Sequence, residues 1–435
     1  MKIKKLQAIE VLDSRGFPTV ECTTFLQDGT TAASAVPSGA STGKYEAVEL
    51  RDNDPKRYLG KGVLRAVENV NKIISKALAG QDAEDQKKID ETMIALDKTE
   101  NKARLGANAI LSVSQSVAKA QATYEKKPIY QYLSKFNPDG SSLPVMPLPM
   151  FNVLNGGKHG NWASDIQEYM IIPKSAESTT EAIRMGTEIY QTIKAILKDR
   201  NYSIAVGDEG GYAPQFKSNE EPFQILVEAI EKAGYRPGED VVMGIDAAAS
   251  EFFKPGKGGD SPGKYLLKKE GLELTTDRLV DFYLDLIKKY PIVSMEDIFD
   301  QDDWEGFKKI YQKTQGKVQI VGDDLFVTNI KRLKRGIDEK TCNSILIKLN
   351  QIGTVSETIS AILMAKDAAM TSIVSHRSAE TEDTFMADFV VAMGSGQIKT
   401  GAPARSERTA KYNRLIKIDQ ELENKKKFYR LPFKR

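Results

Sequence analysis

The sequence predicts an α/β barrel preceded by a small α+β domain, and three observations carry that expectation. First, apolar runs in the second half end in charged or polar residues at a nearly even interval. Ile292–Met295 leads to Glu296, Val318–Val321 through Gly322 to Asp323, and Ile345–Ile347 to Lys348. Ile373–Ser375 leads to His376, and Gln397 and Ile398 lead to Lys399. The steps are 27, 25, 28 and 23 residues, the length of one buried strand, a helix of a few turns and two loops. Second, 435 residues exceed one ordinary domain and accommodate a barrel of about 250 residues plus another domain. Third, the chain opens with strands followed by helices, the order of an α+β unit.

In that first unit, residues 3–11, 17–26 and 30–36 carry strand-like content, with Asp28-Gly29 as a turn. A helix is predicted over 62–79, where Val63, Val67, Val70, Ile74 and Leu78 form a stripe that stops at Gly80. Weaker periodicity predicts a helix over 84–96, and an Ala-rich stripe predicts one over 107–126. Ser141 to Pro149 holds three prolines in six residues, which suits a linker. The expected division is therefore 1–140 for the α+β domain, 141–149 for the linker and 150–435 for the barrel. Beyond the linker, helical stripes (Trp304/Phe307/Ile310, Ile359/Ile362/Leu363, Phe389/Val390/Met393) alternate with the strands, and a last helix is expected over about 405–423.

Composition narrows the function classes. Hydrophobic residues make up 40% and charged residues 28%, and 62 basic residues nearly balance 60 acidic ones for a net charge of +2. Nucleic-acid and membrane-surface proteins need a concentrated basic face, which this balance argues against. The short Lys425–Lys427 run reads as a solvated tail. Cys22 and Cys342 lie far apart, which fits a reducing compartment with no disulfide framework. With only His159 and His376 beside them, a structural zinc site is not expected. No apolar stretch follows the basic start, and no run approaches the ~18 residues of a membrane span, so the sequence predicts a cytosolic protein.

The strand-end charges carry the chemistry. A charge at the end of a buried strand is costly unless paired or metal-bound, and in a βα barrel those ends floor the active site. Asp246 follows Val241–Ile245, so Asp246, Glu296 and Asp323 would end neighbouring strands. Carboxylates that close repel, so they share protons or hold a cation. All-oxygen donors select a hard ion, with Mg²⁺ the usual one; pairing with barrel lysines is the alternative. Lys348 and Lys399 follow at later strand ends. Beside a divalent cation and each other, both amines should be easier to deprotonate and either could serve as a base. Acids and lysines together suit removal of a proton α to a carboxylate, where positive charge stabilises the second negative charge that develops.

Upstream, Glu209 sits on the glycine-flanked turn Gly207–Gly211, and Gln167-Glu168 precedes the strand-like Tyr169–Ile172. A carboxyl opposite a lysine could protonate a departing hydroxide. His376-Arg377-Ser378 offers a guanidinium fork and a hydroxyl, suited to phosphate. Pro37–Gly43 reads either as a surface turn or as a lid hinged at Gly39 and Gly43, with Ser41 reaching a metal or phosphate. Gly258–Tyr265 resembles part of a P-loop but has Tyr265 where Ser or Thr must bind Mg²⁺, so a hairpin turn is expected.

The motifs in order resemble the enolase family nearly end to end. They are Ser38-Gly-Ala-Ser-Thr-Gly43, Leu154-Asn-Gly-Gly157 with His159, Asp165-Ile-Gln-Glu168 and Gly207-Asp-Glu-Gly-Gly211. Then come Ser294-Met-Glu-Asp297 with Asp300-Gln-Asp-Asp-Trp304, Gly322-Asp-Asp324, Lys348-Leu-Asn-Gln-Ile-Gly-Thr354, Ser375-His-Arg-Ser378 and Gln397-Ile-Lys-Thr-Gly401. The resemblance implies a barrel with an irregular ββαα start and reversible dehydration of 2-phosphoglycerate to phosphoenolpyruvate in glycolysis. It implies Lys348 as base and Glu209 as general acid, with Asp246, Glu296 and Asp323 on a first Mg²⁺ and Ser41 on a second. Lys399 would stabilise the charged intermediate, and Arg377 and Ser378 would hold phosphate. His159, Gln167, Glu168, Ser375 and His376 would line the pocket. It further implies a homodimer or octamer; a second role at the cell surface or with an RNA-processing partner stays open. Departures are Ile298 where Pro is expected, Ala379 where Gly is usual, and the tail after about Leu422. Another carboxylate-acting member of the barrel superfamily and a non-catalytic binding protein are the competing readings; the phosphate triplet weighs against the first, and intact Glu209, Lys348 and Lys399 against the second.

Overall fold

The computed structural model describes all residues except 40–42, 139–142, 257–262 and 434–435. The N-terminal unit is an antiparallel sheet of β1 (Ile3–Leu12), β2 (Pro18–Leu26) and β3 (Thr31–Ala35) in that spatial order. Asp13 Oδ1 accepts from the backbone of Arg15 and Phe17, and Gly16 adopts φ +78, so the β1–β2 turn is built from an Asx-type bond and one left-handed residue. The helical run from Leu64 to Leu78 matches the predicted stripe, but Asn69–Ile74 within it is wound as a π-helix. Gln86–Asp97 starts on Asp85, whose side chain accepts from Lys88 N. Ala107–Tyr124 is buried along most of its length against β2 and β3; its Ala and Ser side chains permit that close approach.

The second unit is a closed eight-stranded barrel. Its strands in chain order are β4 (Leu148–Asn155), β5 (Glu168–Ile172), β6 (Val242–Asp246), β7 (Ile292–Glu296), β8 (Gln319–Gly322), β9 (Ser344–Ile347), β10 (Thr371–Ser375) and β11 (Gly396–Lys399). Neighbours pair in parallel around the ring except β5, which runs antiparallel to both β4 and β6. Two helices, Thr179–Asp199 and Glu221–Lys232, follow β5, giving the ββαα start before the regular alternation. The reversal has a functional consequence. The first residue of β5 lies at the same end of the barrel as the last residues of its neighbours, so Glu168 pairs in register with Asp246.

Two expectations are corrected. The 141–149 stretch is not all linker: Val145–Met146 forms a short strand and β4 begins at Leu148. Prolines beside and just inside a strand start cost little, since few ladder donors are lost there. Nor is Lys425–Lys427 simply a solvated tail, because Lys427–Phe428 pairs in parallel with Val145–Met146. The Tyr429 ring then covers Gly396, where a Cβ would come within 2.2 Å of it. The charges pointed to solvent, and only every second side chain follows them. The expected hairpin at Gly258–Tyr265 falls partly outside the described residues, and its flanks pair antiparallel through Phe253 and Tyr265.

Candidate active site

The barrel brings the predicted charges to one end. Glu168, Asp246 and Glu296 stand side by side on β5, β6 and β7, where Asp246 is in register with both others. Lys399, from the end of β11, reaches all three: Nζ lies 3.1 Å from Glu168 Oε2, 3.3 Å from Asp246 Oδ2 and 2.8 Å from Glu296 Oε1. Asp323 follows β8 and pairs with Lys348 Nζ, while Gln351 Nε2 donates to Asp323 Oδ1 at 2.8 Å. Glu168, Asp246, Asp323, Lys348 and Lys399 line one cleft together with His159, Gln167, Glu209 and the Ser375–Ser378 segment. Ser41 lies outside the described residues.

On one side of the cleft two carboxyls and an imidazole meet. The turn carrying Glu209 is closed by Gly207 N donating to Gly211 O, with Gly210 at φ +85. Asn152 Nδ2 donates to Glu209 Oε2 at 2.7 Å, and His159 Nδ1 lies 3.3 Å from Glu209 Oε1 and 3.7 Å from Glu168 Oε1. The other nitrogen of His159 meets Ser378 Oγ at 3.0 Å. Burial, then the Glu209 charge, push Glu168 well above the usual carboxylate range. Burial would raise Glu209 too, but His159, His376 and Arg408 outweigh it and hold Glu209 well below its ordinary value. The two carboxyls are thus pushed in opposite directions, Glu168 toward its neutral form and Glu209 toward its ionised form.

At the other side of the cleft, Arg377 is buried and forks onto Glu46 of the N-terminal unit, at 2.8 and 3.1 Å, and donates to Asn350 Oδ1 at 3.1 Å. Ser375 Oγ donates to the His376 carbonyl at 3.1 Å. Burial pulls His376 down to about 4.

One electrostatic expectation is reversed for the protein's own groups. Burial would lower Lys348, yet Asp323 overrides it and holds the amine above its ordinary value. Lys399 is likewise held well above it, by Glu168, Glu296 and Asp246 against burial. The sequence counted a cation beside the lysines and missed how closely the carboxylates embrace them.

The family model described as "Enolase, N-terminal domain" matches residues 3–133, and the one described as "Enolase, C-terminal TIM barrel domain" matches residues 143–434. The chain belongs to the enolase family. It is thus a lyase of a metal-dependent family, and among the described residues no helix is long and apolar enough to cross a membrane.

The donor set of this enolase site fits a hard divalent cation. Glu296 Oε2 is buried with no hydrogen-bond partner among the described residues, an oxygen left over after Lys399 takes the other. Asp297, Asp323 and Asp324 also bring carboxylate oxygens within 4.8 Å of one another. Asp297 accepts from the backbone N–H groups of Asp323 and Asp324 at 2.8 Å each, which ties the ends of β7 and β8 together. Asp297 and Asp324 were missed as site residues, although each directly follows a predicted acid. Asn152 was legible as a polar residue inside an apolar strand. Glu46 gave no signal, because only the fold carries that loop onto Arg377.

Proposed function

We propose that this enzyme dehydrates 2-phosphoglycerate reversibly to phosphoenolpyruvate, as a phosphopyruvate hydratase of glycolysis. The observation that supports the reading is one cleft lined by the Lys348 amine, the Glu168 and Glu209 carboxyls and the Arg377-Ser378 pair. Lys348 Nζ takes the proton from the carbon α to the substrate carboxylate. The Glu168–Glu209 pair, bridged by His159, delivers one proton at Glu209 to the departing hydroxide, which is otherwise a poor leaving group. Lys399 offsets the second negative charge that grows on the carboxylate carbons. Arg377 and Ser378 hold the phosphate, and Ser375, Gln167 and His376 line the pocket and restrict water.

Asp246, Glu296 and Asp323 are the proposed residues for one Mg²⁺ and Ser41 for a second. Bound there, the ions would neutralise the carboxylates that keep both lysines protonated and would offset charge on the substrate carboxylate. A homodimer or octamer in the cytoplasm completes the proposal.

Ultraviolet absorbance of enzyme with 2-phosphoglycerate tests it. The expected result is a rise from the enol double bond with Mg²⁺, abolished by excess chelator. No rise with Mg²⁺ present would overturn the substrate assignment and favour a different carboxylate.

A further inference from the structure

Helix Ser406–Glu421 begins at the rim of the cleft and sends a fully buried arginine beneath it. Among the described residues Arg408 makes no hydrogen bond to a carboxylate, and the contacts of its fork go to loops of the site. Nη1 lies 2.6 Å from His376 Nδ1 and donates to the Arg377 carbonyl at 2.6 Å. Nη2 donates to the Asp208 carbonyl at 3.1 Å and the Ser378 carbonyl at 2.5 Å. The nearest carboxylate oxygen to Nε is Glu407 Oε1, 3.7 Å away.

We propose that Arg408 is a positioning residue that fixes His376 as its Nε2–H tautomer and locks the phosphate-side loop to the Glu209 turn. A guanidinium carries only donors and stays charged. A ring nitrogen 2.6 Å away must therefore present its lone pair, which leaves the imidazole proton on Nε2. That nitrogen faces Glu209, with Oε2 at 3.4 Å. Arg408 thus aims the Nε2–H of His376 at the carboxylate of the proposed acid, and ties the carbonyls of Arg377 and Ser378 to that of Asp208, the residue before Glu209.

The alternative is that Arg408 only packs the helix. Burying a guanidinium whose nearest carboxylate oxygen, 3.7 Å away, is beyond hydrogen-bond reach is expensive, and an apolar side chain of similar volume avoids that cost. The packing around it is close on every side: a Cβ on Gly401, at φ +81, would lie 2.6 Å from the Glu209 carbonyl oxygen, 3.1 Å from Arg408 Cδ and 3.2 Å from His376 Cε1. Lys411 of the same helix supplies a control. It is equally buried, but its amine bonds Glu380 and the carbonyls of Thr381 and Glu407 and does not touch the imidazole.

This inference deepens the reading of the site given above and rests on it for its catalytic consequence. Its structural part is tested without substrate, on the full chain labelled with ¹⁵N-histidine. Only two histidines are present, so loss of signal in His376→Gln assigns the ring. The wild type and Lys411→Met should show His376 with Nε2 protonated and Nδ1 bare. Arg408→Met, or Arg408→Lys should the methionine variant not fold, should show a mixture of tautomers or a proton on Nδ1. Arg408→Lys should also lose about 10–100-fold in kcat/KM, and lose far less when made on His376→Gln. An unchanged imidazole spectrum in the arginine variants, or losses that simply multiply, would overturn the proposal. A chain inert toward 2-phosphoglycerate with the expected spectra would instead overturn the proposed substrate and leave the positioning role standing.

Discussion

The two ends of one barrel treat buried polarity in opposite ways. At the barrel end where the parallel strands finish and β5 begins, Glu168, Asp246, Glu296, Asp323, Lys348 and Lys399 crowd together, and Glu296 Oε2 has no hydrogen-bond partner among the described residues. At the amino ends of β8 to β11 the buried polar groups are neutral and bonded to one another. Gln319 Nε2 donates to Ser344 Oγ at 3.1 Å, Thr371 Oγ1 at 2.9 Å and Gln397 Oε1 at 2.8 Å, and Gln397 Nε2 returns a bond to Gln319 Oε1 at 3.2 Å. Neutral amides and hydroxyls satisfy a barrel interior without ionic desolvation. The charged end is therefore no requirement of the fold. It is kept at a cost in stability, which is what a binding site for ions does.

The largest expected effect sharpens that contrast. Lys348→Ala should lower turnover by about 10²–10⁴-fold or more, the range for a positioned general base. It should also abolish exchange of the substrate α-proton with solvent, whereas Glu209→Gln should spare part of that exchange. Equal exchange in both variants, followed by NMR in deuterated buffer, would reverse the assignment of base and acid. The amino end should answer differently. Deleting residues 427–435 removes the Lys427–Phe428 strand, the Tyr429 ring over Gly396 and the Arg430 bond to the Ala176 carbonyl at 2.6 Å. Stability should fall by about 3–5 kcal/mol, read by urea unfolding, with kcat unchanged well below the melting temperature.

Sequence legibility divides along the same line. The five strands β7 to β11 could be read from apolar runs ending in charge, because buried parallel strands with polar ends leave a regular trace. The earlier strands lack that period. β5 runs backwards, so its functional residue stands first rather than last, and only the family resemblance pointed to the irregular start. The tail was misread because Lys425–Lys427 looks solvated while the residues that pack, Phe428 and Tyr429, follow it. Arg408, Glu46 and the hold of Asp323 on Lys348 depend on distances between remote segments, which no local pattern encodes.

Titration separates the ends as well. His376 is pulled by burial down to about 4 in the folded chain, against ~6.5 when unfolded. Between those values the unfolded state binds more protons, so stability present above the unfolded pKa is lost as pH falls through the window. The loss due to this one group should reach at most about 3 kcal/mol. His376→Gln should flatten the stability-against-pH curve there, and a slope identical to wild type would mean the ring is protonated freely in the fold. Substitutions in the Gln319–Gln397 network should leave that slope untouched, having no proton to exchange.

The smallest effect is the sharpest test of why the amino end is polar at all. Gln319→Leu alone leaves Gln397 Oε1 without its donor, and Gln397→Leu alone does the same to Gln319 Oε1 while Gln319 Nε2 keeps Ser344 and Thr371; each should cost about 1–3 kcal/mol, the price of an unsatisfied buried carbonyl. The double variant removes both amides together, and Leu matches Gln closely in volume, so its loss should be well below the sum of the two. Ser344 and Thr371 keep that difference from vanishing, since both bond Gln319 and only Thr371 retains another acceptor, the Asn343 carbonyl at 3.4 Å. Unfolding curves of the four chains give the coupling directly. A double variant near wild type, still fully active, would show the neutral network to be replaceable by plain packing. A sum of the two single losses would mean each amide is held by the backbone around it rather than by its partner.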